Sequence, residues 1–186
     1  KRIIITLKTL RDLKRINGFW YHFIDPDTGK RGWKDSHNVE LSNASAGTML
    51  LGALAAAEYF GGEIEKLTYE LYEAMNWKWF TNPATKHPYL ACYPEDLPKN
   101  VPHGINEEGM FGGWSAYSEH IFLYILAAGA PREEFSTGAD SYYAMKTYKG
   151  SYKGETFIFC VSGAAFTYQW THAFIDFRNL RDKLDR

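Results

Sequence analysis

ASAGTMLLGALAAAEYFGGEIEKLTYELYEAMNW, residues 44–77, sets two helices of opposite character side by side. Ala44 to Phe60 is apolar nearly all round and rich in Ala and Gly. A helix of that kind is buried on every side, and its small residues let neighbouring helices approach closely. Gly61-Gly62 ends it. Glu63 to Trp77 is amphipathic: Ile64, Leu67, Leu71 and Met75 form one stripe at helical spacing, with Glu63, Lys66, Glu70 and Glu73 away from it. A buried helix followed by an amphipathic one is the inner and outer alternation of a double-layered helical ring. It also suits an ordinary helical bundle. The fold class expected is all-α.

Upstream, Ile3, Leu7, Leu10 and Leu13 give Ile3 to Ile16 a helical spacing, with Asn17-Gly18 as its stop. Phe19 to Ile24 is aromatic-rich and strand-like. Asp25-Pro26-Asp27-Thr28-Gly29 reads as a turn, and Lys30 to Lys34 as a returning strand. The Asp-x-Asp-x-Gly spacing lacks the later ligands of a calcium loop, so a hairpin turn is the better reading. Downstream, Thr81 to Gly113 is mostly loop, marked by Pro83, Pro88, Pro94, Pro98 and Pro102. Loops of that length inside a domain are usually functional or disordered, and this one's aromatic content argues for order. A second buried helix is expected over Ser115 to Ala128, a weaker one over Ala139 to Tyr148, a β-leaning stretch over Tyr152 to Cys160, and a last helix over Thr171 to Leu184.

The 186 residues fit one domain, taken as 1–186, and 45% hydrophobic residues are enough for a sizeable core. A net charge of −1 gives no electrostatic reason to expect nucleic acid or an anionic membrane surface. The longest apolar run, Thr48 to Ala57, is too short to span a bilayer. Aromatic residues reach 17%, with 6 Trp, 13 Tyr and 12 Phe. Composition assigns most of these to a core, while Trp and Tyr also offer a sugar an apolar face and a polar handle. Cys92 and Cys160 match no zinc pattern; two buried thiols are preferred over one disulfide. The six histidines show no metal-ligand spacing, and no metal is expected. The chain starts at Lys1 with no signal-peptide architecture and reads as a fragment of something longer.

Four segments resemble one family. Gly18-Phe19-Trp20-Tyr21-His22-Phe23 with Asp27-Thr28-Gly29-Lys30-Arg31 resembles the opening hairpin of the glycoamylase-like domain. Glu40-Leu41-Ser42, running into Leu50-Leu51-Gly52-Ala53-Leu54 and Glu58-Tyr59-Phe60, is similar to its first buried helix. Tyr117-Ser118-Glu119 with Leu123-Tyr124-Ile125-Leu126-Ala127 is similar to its Tyr-Ser-Glu helix. Phe166 to Arg178 resembles its closing signature. The likeness covers about Gly18 to Asp182, in order and at compatible spacing. It implies an (α/α)6 toroid, inverting hydrolysis or processing of bacterial glucans such as β-1,2-glucan, no cofactor, a polysaccharide or oligosaccharide partner, and a periplasmic or secreted setting. A toroid of twelve helices needs roughly 200 residues. With five or six helix candidates here, about half of the ring is expected. The sequence departs from the pattern at Ser45 and Ser115, where the family has Asp, at Ala116, where it has Gly, and at Cys92, where it has Trp.

Inverting cleavage needs two carboxyl groups, one to protonate the leaving oxygen and one to activate water from the opposite side. Glu119 is the candidate acid, because apolar neighbours such as Trp114 and Tyr117 favour a carboxyl that keeps its proton. It can equally be a structural Glu at a helix start. For the base there are two candidates. Asp176 follows His172 by one helical turn, so the two share a face, or it pairs with Arg178. Glu40 matches an acidic position of the family and otherwise complements a helix N-terminus. Trp20, Tyr21, Trp114, Tyr117, Gln169 and His172 are the candidate sugar contacts, each with a core or structural alternative. The competing class is a non-catalytic carbohydrate-binding or scaffold domain, supported by Ser45 and Ser115. A polysaccharide lyase would want uronic acid substrates, for which the charge gives no hint.

Overall fold

Ser42 starts the long helix by accepting the Ser45 backbone N–H on its hydroxyl at 3.1 Å, an N-cap that satisfies one of the helix's free donors. In the computed structural model, which describes residues 1–32, 38–95, 97–98 and 103–184, α2 runs over Asn43–Phe60. It follows α1 (Arg2–Asp12) and precedes α3 (Gly62–Glu73). The expected stripe holds: Ile64, Leu67, Leu71 and Met75 are all buried, and α3 packs against both α1 and α2. α4 (Ile121–Ala128) crosses α2 where the Phe122 ring lies over Gly47. The Tyr72 hydroxyl donates to the Leu126 carbonyl at 2.7 Å, which ties α3 to α4. Tyr72→Phe should lower stability by about 1 kcal/mol, since the buried carbonyl loses its side-chain donor. Urea unfolding checks this, and an unchanged midpoint would show the bond to be worthless.

α2 is not buried on every side. α3 and α4 cover one side, and Gly52, Ala55, Glu58, Tyr59 and Phe60 face out, with Tyr59 82% and Phe60 58% exposed. Among the described residues nothing packs over that face, so the all-round apolar pattern overstates its burial.

The N-terminal helix stops earlier than its periodicity predicts, at Asp12, with Leu13 already extended. Asn17-Gly18 does another job. Ile16 and Phe19 exchange both backbone hydrogen bonds, at 2.9 and 3.0 Å, and the two residues between them have φ of 50° and 87°. This is a two-residue type I′ hairpin. Asp25 makes the next turn, its carboxylate accepting the N–H groups of Asp27 and Thr28 and the Thr28 hydroxyl. The expected strands of this region are single bridges, Tyr21 to Leu41 and Ile24 to Arg31. The return strand expected to reach Lys34 runs beyond the described residues from Trp33 on, as does Pro102 of the proline-marked loop.

The long loop carries β1 (Ala91–Cys92), antiparallel to β2 (Met110–Phe111). Leu41 bridges both Tyr21 and Cys92, so segments 20–22, 40–42, 91–92 and 110–111 form a small irregular layer against the helices. After α4 come a 3-10 turn (Glu133–Phe135), α5 (Gly138–Ala144), and an antiparallel ribbon of β3 (Tyr148–Tyr152) and β4 (Glu155–Phe159), turned at Lys153-Gly154. α6 (Phe166–Gln169) and a 3-10 turn (Thr171–Ala173) end the described elements. Among the described residues the fold is thus helix-rich with two small sheets rather than all-α.

Other expected helices are shorter too: α3 stops at Glu73, short of Trp77, and α5 at Ala144, with Tyr148 already in β3. Residues 115–120 stay outside α4 because Tyr117 donates to the Lys146 carbonyl and Lys146 donates to that of Ser115, a parallel bridge incompatible with a helix. The last helix breaks where Asp176 accepts the Arg178 N–H and Asn179 takes a φ of 63°. The main core centres on Phe19, which meets Trp77 edge-on at 5.3 Å and Phe80 at 4.9 Å. A second, smaller cluster joins Ile121, Tyr124 and Met145. Cys92 and Cys160 are separate buried thiols, and burial pushes the Cys92 thiol up to about 12.

Candidate active site

Three parts of the chain wall a cavity of about 690 Å³. The irregular layer supplies His22, Glu40 and Leu90. The first turns of α2 supply Ser45, Thr48 and Met49. The segment before α4, with α6, supplies Trp114, Glu119, His120, Phe166 and Trp170. Each wall has a local cause. Glu40 and His22 are neighbours because the His22 N–H donates to the Glu40 carbonyl at 2.8 Å. Leu90 is anchored next to Tyr89, whose carbonyl accepts from the buried Asn43 amide at 2.7 Å. Trp114 is held by the Tyr124 hydroxyl, which donates to its carbonyl. The Thr171 hydroxyl donates to the Glu119 carbonyl at 2.7 Å, and this brings α6 and Trp170 to the cavity.

Both carboxylates in the cavity stand beside a histidine. Glu40 Oε1 lies 2.7 Å from His22 Nδ1, and Glu119 Oε1 lies 3.6 Å from His120 Nδ1. The His22 ring stacks on Phe23 at 4.2 Å. The His120 ring lies against the Trp114 indole at 3.7 Å. Burial pushes His120 toward its neutral form, and the Glu119 carboxylate opposes that. Two acids separated by apolar and aromatic walls can divide the roles of proton donor and water activator. Exposed aromatic faces can pack against the C–H faces of a sugar.

Of the residues singled out from sequence, Glu119, Glu40 and Trp114 meet in this cavity. The others lie elsewhere. Asp176 is exposed and clamped by Arg178 through bonds of 2.8 and 2.9 Å, and that guanidinium holds its carboxyl below the usual range. It shares no helical face with His172, because the helix that would place them together is absent. Trp20 is core, its indole N–H donating to the Leu10 carbonyl at 3.0 Å. Tyr21 is buried, with its hydroxyl on Glu95 at 2.7 Å and Arg31 over its ring. Both line a smaller pocket of about 200 Å³ that shares His22, Ser45 and Met49 with the main cavity. Tyr117 and His172 line a separate cavity of about 230 Å³ with Tyr142 and Phe177. Gln169 ends α6, exposed. His22, His120 and Trp170 were not singled out from sequence. Two of them sit inside segments that were, Gly18 to Phe23 and Phe166 to Arg178, and His120 follows Glu119 directly. Their spacing carries no signal of its own.

Residues 112–186 match the protein family described as "Putative glucoamylase". The fold matches an endo-β-1,2-glucanase from Chitinophaga pinensis (TM-score 0.66, 20% identity, 88% of this chain, 39% of that one). It also matches a β-1,2-glucanase from Parabacteroides distasonis (TM-score 0.77, 21% identity, 98% of this chain, 29% of that one). The chain's last 75 residues, 112–186, are thus glycoamylase-like. A third match is a "putative glucoamylase" from Bacteroides caccae (TM-score 0.66, 18% identity, 94% of this chain, 43% of that one). At these identities the likeness to solved structures is one of fold. The chain spans less than half the length of each of the three. No curated protein matches it in sequence.

Proposed function

We propose that this chain is part of an inverting glycoside hydrolase or glucan-processing domain, with β-1,2-glucan the first substrate to try. The observation that carries the reading is the pairing of Glu40 and Glu119 in one aromatic-walled cavity. Glu119 is the general acid. Glu40 is the general base, preferred to Asp176 because Asp176 is exposed and engaged by Arg178. Trp114 and Trp170 hold sugar rings, and His22 fixes one oxygen of Glu40 so that the other is free for water. The helix pair α2–α3 belongs to an (α/α)6 toroid, of which this chain is a part, and the open face of α2 supports that assignment.

A second reading, a carbohydrate-binding domain without turnover, draws on Ser45. It lines the same cavity at a position where the family pattern has Asp.

The test is incubation of the intact protein with β-1,2-glucan and a panel of other glucans. New reducing ends are followed, and the anomer first released is read by NMR. Release of the inverted anomer supports the hydrolase. Binding to a glucan with no new reducing ends supports the second reading, and neither binding nor cleavage anywhere in the panel sinks both.

A further inference from the structure

We infer that His120 is a positioning residue for Glu119, the two side chains holding between them the one proton that glycosidic cleavage consumes. This rests on the hydrolase reading.

The His120 Nδ1 atom is buried and has no hydrogen-bond partner among the described residues. It faces Glu119 Oε1 at 3.6 Å, just beyond a direct hydrogen bond. Both side chains are mostly buried, 14% and 21% exposed, yet both border the cavity. The ring cannot easily turn away. It lies against Trp114 on one side, with Phe122 5.9 Å away, and the backbone beneath it is fixed by the His120 main-chain N–H donating to the Ser118 hydroxyl. An orphaned ring nitrogen beside a carboxyl oxygen is costly unless a proton joins them.

One proton can sit in either of two places. It makes an imidazolium facing a carboxylate, or a neutral imidazole facing a carboxylic acid. Among the described residues, the remaining titratable groups of the cavity, Glu40 and His22, satisfy each other at 2.7 Å and leave this pair to itself. Burial already favours the neutral ring, and the Glu119 carboxylate alone resists it. A glycan that fills the cavity expels water and weakens the charged arrangement further. The Nδ1–H bond then breaks as the Oε1–H bond forms, with no change in net charge. Substrate binding thereby arms the acid. During cleavage this proton passes to the glycosidic oxygen, which keeps the electron pair of the broken C–O bond. The attacking water gives its proton to the opposite carboxylate, and solvent returns one to the Glu119–His120 pair.

The experiment has two arms. In the first, the pH profile of kcat/KM on the best glucan is compared between the intact protein and His120→Asn. Asn keeps a polar atom near the Nδ1 position and cannot titrate. The alkaline limb should move acidward by about one pH unit, with activity on the acid side kept within about tenfold. A loss that is uniform across pH would show a merely structural role and overturn the inference. In the second arm, 15N NMR follows His120 through a pH titration in the unaltered protein and in Glu119→Gln, with no turnover needed. The pH at which His120 gains its proton should fall in Glu119→Gln. An unchanged midpoint overturns the inference whatever the enzyme's activity, while a shifted midpoint without glucan cleavage keeps the pair and rejects only the hydrolase.

Discussion

Glu119→Gln should lower glucan turnover roughly a thousandfold, within the range general acid catalysis supplies, and leave the fold intact. Gln has the size of Glu, and the side chain it replaces has His120, at 3.6 Å, as its ion-pair neighbour. The backbone there is held by other groups, through the Thr171 hydroxyl on the Glu119 carbonyl. The substitution therefore removes the transferable proton and little else. A near-identical unfolding midpoint and a collapsed kcat is the expected pair of results, and a variant that turns over at more than a tenth of the original rate would remove Glu119 from the acid role. Leaving-group chemistry separates the two carboxylates. A glycoside whose leaving group departs as a stable anion needs no proton, so it should restore Glu119→Gln and fail to restore Glu40→Gln, which lacks the water-activating base. Asp176→Asn serves as the control. Its carboxylate is exposed and bound to Arg178, outside the cavity, and turnover should change less than twofold.

The parts of this protein that were legible in the sequence are those set by burial periodicity. The stripe Ile64, Leu67, Leu71, Met75 lies buried as spaced, because an amphipathic helix has one way to hide its apolar face. α2 was visible for the same reason, but its outer face was not, since periodicity reports which residues are apolar and not whether a neighbour covers them. Segments whose backbone pairs with distant chain were misread. Ser115 to Tyr117 is apolar enough for a helix, and only the partnership with Lys146 keeps it extended. Thr171 to Leu184 has a helical stripe that the Asp176 turn and Asn179 override. The site followed the same division. Glu119 and Glu40 were found by chemical type and family position. His22 and His120 were not, because a histidine gains its meaning from the carboxylate 2.7 or 3.6 Å away, and His22 reaches its partner across the hairpin. Asp176 and His172 were joined only by an assumed helix.

Gly18→Ala should be severely destabilising, costing more than about 3 kcal/mol. Two separate costs add. At a φ of 87° any side chain strains the backbone, by roughly 1 kcal/mol. The added carbon would also lie 2.2 Å from the Ala74 carbonyl oxygen and 2.5 Å from the Met75 Cα. Those are backbone atoms at the end of α3, with Met75 fully buried, so the overlap cannot be relieved by a rotamer change. Gly154→Ala isolates the first cost. Gly154 occupies the same second position of the Lys153-Gly154 turn, with a φ of 84° and nothing within 4 Å of where its Cβ would stand. It should lose only about 1 kcal/mol. Urea unfolding of both variants gives the comparison, and equal losses would show that the contact with α3 carries no weight. The position matters beyond stability. The turn at Gly18 aims Phe19 into the core between Trp77 and Phe80 and sets the register that carries His22 to Glu40. A Gly18→Ala protein that stays folded under mild conditions should therefore lose turnover as well, through the displaced His22–Glu40 pair, while its Glu119–His120 pair, held by α4 and α6, titrates as before.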